Sequence, residues 1–229
     1  MSKFFLFAII SISILSCNKA KVDLLPPPAN TPPVVTPGDP NLSAYFKFSS
    51  SIADESGKAN SASEGIVAYT TDRHGEAGKA LQCDGVSTKL IFSNVDQKKT
   101  ACSISVWVAL DDIASPLKYF LNCTKDGISM SQYSGAVYAA ISTPGTESTA
   151  AFAGDINWHH YAATFDGANL LIYKDGVLAS TKAHPGSMMD GKVDFTIGKF
   201  VDFWKGSIDD LRFYNKVLDA NEILALSKE

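Results

Sequence analysis

Apolar and polar positions alternate with a period of two along much of the chain after residue 42. In Cys102–Val108, the side chains of Cys102, Ile104, Val106 and Val108 fall on one face. Tyr161, Ala163 and Phe165 alternate in the same way with His160, Ala162 and Thr164. The run Leu170–Leu178 sets Asp175-Gly176 between two apolar segments, which suits a two-residue hairpin turn with positive φ at both central positions. Asp84-Gly85 and Asp166-Gly167 are further turn signals. A helical period appears at LDANEILALSKE, where Asp219 can cap, Glu222 completes a capping box and Leu218 with Ile223 forms a hydrophobic staple. Many short strands with closely spaced turns predict an all-β fold. Its expected form is a two-sheet antiparallel sandwich or jelly roll with a short C-terminal helix.

The first residues follow a different pattern. Lys3 is a single positive charge ahead of the apolar run Phe4–Leu15, which is short for a permanent bilayer span. The run ends in Ile14-Leu15-Ser16-Cys17, which matches the bacterial lipobox. Residues 1–16 are therefore expected to be a lipoprotein signal peptide and Cys17 the lipidated residue. Asn18 in place of Asp favours the outer membrane or cell surface. Seven of the ten prolines lie between Pro26 and Pro40. Residues 17–41 should form a tether to a domain of residues 42–229, and the fifteen residues from Pro26 to Pro40, extended at ~3 Å each, would hold that domain about 45 Å from the lipid.

Charge removes one class of partner. A formal net charge of −4 supplies no basic patch to neutralise phosphates, so nucleic-acid binding is disfavoured. Of the four cysteines, three remain after lipidation, so they cannot all pair within one chain. Cys102 and Cys123 flank an apparent hairpin centred near Asp112, which would allow a disulfide between them.

Five segments, in order, resemble the LamG-like jelly-roll domains of the concanavalin A-like lectin/glucanase superfamily. They are Ala44–Phe48 with Asp54–Gly57, Gly78–Gly85, Ser103–Val108, Trp158–Gly167 with Tyr173–Val177, and Trp204–Tyr214. The resemblance implies a jelly roll that binds glycan or a surface protein, and it makes Trp107, Trp158 and Trp204 framework residues. It also places the adjacent histidines His159 and His160 at the start of a core strand. Alternation sends the two to opposite faces, where they cannot chelate one ion together. No cysteine or carboxylate is recognised at zinc-ligand spacing beside them, and Asp166 is assigned to a turn.

Candidate chemistry is sparse. Period two counted back from Leu211 and Phe213 turns Asp209 towards the core, where it needs donors such as Arg73 or Arg212, or a cation. Calcium held by Asp209 and Asp54 is one expectation, since some members of the superfamily bind it. A bulge at Asp209-Asp210 would instead turn either acid outward. The glucanase branch carries E-x-D-x-E or E-x-D-x-x-E on one strand, and neither spacing occurs here. The expected function is therefore non-catalytic recognition of carbohydrate, with Tyr133, Tyr138 and Phe203 as candidate stacking rings in or beside loops. A calcium-assisted adhesion or structural module that binds protein is the alternative. A divergent glycoside hydrolase is the second.

Overall fold

The computed structural model describes residues 39–97, 100–123, 127–143, 146–187 and 192–229. The expected signal peptide, Cys17 and the tether up to residue 38 lie outside the described residues. The described residues form two antiparallel sheets, and a short C-terminal helix lies against one of them.

The eight-stranded sheet runs β13 (Val177–Ala183), β12 (Asn169–Lys174), β11 (Trp158–Phe165), β6 (Cys102–Leu110), β15 (Lys205–Tyr214), β4 (Ala80–Asp84) and β3 (Tyr69–Thr70). Its eighth strand, β1 (Leu42–Phe46), pairs with β15 beside β4. The seven-stranded sheet runs β10 (Thr146–Ala153), β9 (Ala136–Thr143), β8 (Gly127–Tyr133), β7 (Lys118–Cys123), β14 (Lys192–Ile197), β5 (Lys89–Asp96) and β2 (Ala62–Ile66). This is the expected all-β jelly-roll sandwich.

Alternation explains the core. Cys102, Ile104, Val106 and Val108 of β6 and Tyr161, Ala163 and Phe165 of β11 all point between the sheets. Four phenylalanines bridge the layers, with ring centroids 4.3 Å apart for Phe46–Phe92, 4.7 Å for Phe92–Phe195 and 4.5 Å for Phe195–Phe213. Trp204 is fully buried beside Phe120. Gly206 must be glycine, because a Cβ there would lie 2.3 Å from the Trp204 ring and 2.6 Å from the Ala109 carbonyl.

The turns follow the sequence. Asp175 and Gly176 take φ of 52° and 80° between β12 and β13, as a two-residue hairpin of this kind requires. The helix α1 (Ala220–Leu226) carries the expected capping box, with Asp219 accepting from the backbone of Asn221 and Glu222. Leu218, Ile223 and Leu226 pack with Leu42, Tyr45, Ala162, Tyr173 and Tyr214 on the outer face of the eight-stranded sheet.

One expectation fails at a corner. β6 and β7 do not form a hairpin; the chain from Asp111 to Leu117 crosses from one sheet to the other. Cys102 and Cys123 therefore reach the core from opposite layers, and with Cys83 they are buried free thiols. Burial pushes the Cys102 thiol up to about 12 and the other two higher still, so none is a thiolate at neutral pH.

Candidate functional site

The outer face of the seven-stranded sheet holds a groove of about 440 Å³ built from neighbouring strands. Tyr119 of β7 stands opposite Ser131 of β8, and Ser131 stands opposite Tyr138 of β9. Core residues Met130, Gln132, Val137 and Ala139 alternate with these, so period two sends Ser131, Tyr133 and Tyr138 outward together. Leu117, Ala140 and Thr149 complete the lining.

Two rings define the groove. Tyr133 and Tyr138 are diagonal neighbours across the β8–β9 hairpin, with centroids 6.4 Å apart and planes tilted by 52°. Tyr133 is half exposed. The hairpin turns through Ser134 and Gly135, both at positive φ, and is tied down at its tip. Gly135 donates its N–H to the Ile113 carbonyl at 2.7 Å, and Ser134 donates to the Ser115 carbonyl at 3.2 Å. The Gln132 side chain binds the Asp112 carbonyl and the Ser115 hydroxyl behind it. The ring platform thus rests on a fixed turn, and its exposed apolar faces can stack against another flat apolar surface.

The sequence placed these rings in or beside loops, but Tyr138 lies within a strand and Tyr133 ends one. Phe203 does not join them. It sits opposite Lys199, whose Nζ lies 4.2 Å over its ring. Phe200 from the same loop instead meets Tyr119, a residue of the groove lining, edge-on at 5.2 Å. Tyr119 and Phe200 were missed because a lone aromatic gives no sign of which strands will flank it.

The opposite face carries charge. The strand β15 bulges between Asp209 and Arg212, with Asp210 at φ 47°, so both acids turn outward while Ile208, Leu211 and Phe213 stay in the core. This corrects the inward Asp209 that strict alternation predicts. Arg73 grips both carboxylates, one on each terminal nitrogen. Tyr45 donates its hydroxyl to Asp210 at 2.6 Å, and Arg212 donates to the Tyr45 oxygen at 2.7 Å and to Glu229 at 2.6 Å.

The two acids are driven apart. Burial, with the charge of Asp210, raises Asp209 to about 7 against the opposing pull of Arg73. Burial also acts to raise Asp210, but Arg212, the Tyr45 hydroxyl and Arg73 outweigh it and hold the acid below its ordinary value. One guanidinium bridges the pair, which differs from two carboxylates flanking a glycosidic bond across a cleft.

Asp54 is occupied elsewhere. It accepts from the backbone N–H groups of Tyr45, Ser56 and Asn60 and from the side chains of Ser56 and Asn60, at 2.7–3.0 Å. Asp54 and Asp209 are each engaged by donors of their own. Among the described residues, no three metal-ligating side chains gather around one point.

The adjacent histidines do face opposite ways. His160 is fully buried beside Trp107, with Nε2 2.8 Å from the Ser105 hydroxyl. Burial, then the charges of Arg212 and Arg73, lowers it to about 3. His159 lies between Asp155 and Asp175, each 2.7 Å from one ring nitrogen. Both nitrogens are committed to carboxylates that the spacing rule had not brought to this residue. The pair fastens the β10–β11 connection to the β12–β13 turn.

The fold has known counterparts. The binding domain of botulinum neurotoxin DC, solved in complex with SialylT, matches at a TM-score of 0.69 and 18% identity, over 84% of this chain and 52% of that one. Botulinum neurotoxin type C, whose passage into cells depends on interaction with two ganglioside molecules, matches at 0.67 and 18%, over 82% of this chain and 51% of that one. The binding domain of botulinum neurotoxin serotype G matches at 0.68 and 14%, over 82% and 51%. The chain spans about half the length of these structures, and at such identities the likeness is one of fold. No curated protein matches the chain in sequence. The profile of Laminin_G_3, described as the concanavalin A-like lectin/glucanases superfamily, matches residues 84–224, and the chain belongs to that family.

Proposed function

We propose that the chain is a carbohydrate-binding module whose recognition surface is the tyrosine groove on the seven-stranded sheet. The observation that carries this reading is the pair Tyr133–Tyr138, two rings 6.4 Å apart on a fixed hairpin, Tyr133 half exposed and Tyr138 partly so. Pyranose rings present flat C–H faces that stack on such surfaces, while nearby hydroxyls orient the sugar. Fold-level likeness to a neurotoxin whose cell entry depends on gangliosides, and to a neurotoxin binding domain solved with SialylT, supports the same reading.

The ion cluster around Asp209 is read as structural, because Arg73 bridges both acids and Arg212 adds a second positive charge beside Asp210. The module acts without catalysis. Lipid on Cys17 and the proline-rich tether would present it at the outer membrane or cell surface.

The test is a glycan-array screen of the full chain, run with calcium and with EDTA, with release of reducing sugar followed on polysaccharide hits. Binding that survives EDTA and is weakened in Tyr133→Ala and Tyr138→Ala supports the groove. Binding abolished by EDTA would move recognition to a calcium site, and released sugar would overturn the non-catalytic reading. Labelled fatty acid should enter the wild-type chain in bacterial cells and not Cys17→Ala.

A further inference from the structure

We infer that the tyrosine groove selects neutral saccharides over acidic ones, an inference that rests on the groove being the glycan site. Its described lining is Leu117, Tyr119, Ser131, Tyr133, Tyr138, Ala140 and Thr149, all of them uncharged. Two described cations, one next to Phe200 in sequence and one next to Tyr119, are directed elsewhere. Lys199 lies over the ring of Phe203. Lys118 pairs with core-facing Gln132, so alternation carries it away from the face that Tyr119 presents.

A carboxylate or sulfate on the ligand would lose water on entering this groove and find no guanidinium or ammonium among the described lining side chains. The polar groups on offer are hydroxyls, including those of Ser131 and Thr149. A hydroxyl both donates and accepts, which is what a sugar hydroxyl needs and an anion does not. Two tilted rings side by side also give two platforms, so the ligand is an oligosaccharide rather than a single ring. With no ion pair formed, binding should hardly respond to salt.

The experiment compares neutral oligosaccharides with their sialylated or uronate counterparts against the full chain, at low and high salt. Wild type, Tyr138→Ala and Thr149→Arg are used, each shown to be folded by its melting curve. The expected result is binding of the neutral series that Tyr138→Ala weakens about tenfold and salt leaves unchanged, with acidic counterparts at least about tenfold weaker. Thr149→Arg, which adds a cation at an exposed position of the lining, should narrow or reverse that difference. Acidic glycans that bind as well as neutral ones, and are weakened likewise by Tyr138→Ala, would overturn the selectivity while leaving the groove as the site. Glycan binding indifferent to Tyr138→Ala, or none at all, would overturn the groove and the selectivity together.

Discussion

Trp204 donates its indole N–H to Gln132 Oε1 at 2.7 Å in the interior of the sandwich. Gln132 belongs to the strand that ends in Tyr133, and its amide nitrogen binds the corner at Asp112 and Ser115. One buried amide therefore links the core to the turn beneath the tyrosine groove.

Replacing Gln132 by Leu should strand the Trp204 N–H and release the corner. The cost should be about 2–3 kcal/mol, the range for a buried donor left without a partner and hydrogen bonds lost beside it. Urea unfolding would show it as a lower midpoint at unchanged slope.

Tyr133→Ala and Tyr138→Ala should separate binding from folding. Both rings lie on the solvent face, so stability should change by no more than about 0.5 kcal/mol. Affinity for a bound oligosaccharide should fall about tenfold for each ring removed, measurable by calorimetry.

Acid stability should depend on two buried groups that act against each other. Asp209 sits at about 7, above its ordinary value, so its contribution is full below about 4 and is lost as pH rises towards 7. His160 sits at about 3, below its ordinary value, so the unfolded chain takes up that proton first and stability is lost as pH falls from about 6.5. Between about 4 and 6.5 the two slopes oppose. Asp209→Asn should make acidification more destabilising in this window, and His160→Gln should make it stabilising. Melting temperatures across the window would decide the matter, and parallel curves for the three proteins would refute it.

Removing the cap on α1 by Asp219→Ala should cost about 1 kcal/mol, through two backbone N–H groups left without their acceptor. Calorimetry would show a lower Tm.

Much of the fold was legible because period-two alternation and turn chemistry are local. The strand around Ile104, the Asp175-Gly176 hairpin and the Asp219 cap are each contained in fewer than about a dozen residues, and each forms as read. What was not legible depends on distant partners. Cys102 and Cys123 suggested a hairpin because short strands close in sequence usually pair, whereas this segment changes sheet. The outward turn of Asp209 follows from a bulge, whose sign in the sequence is that core-facing Ile208 and Leu211 stand three apart rather than two. Tyr133 and Tyr138 were nominated as unassigned rings. That they meet, and that Tyr119 joins them, follows from strand register, while Phe200 reaches Tyr119 from a loop.

The packing of α1 has a further consequence for how the molecule behaves among its own copies. Leu218, Ile223 and Leu226 cover Leu42, Ala162 and Tyr173, which are among the apolar residues on that outer face. A chain cut before Leu218 would keep both sheets but bare that face, turning a sealed surface into an adhesive one. Such a truncation should self-associate with rising concentration. The shielding of that face thus falls to a single short helix, on the sheet opposite the one that carries the groove.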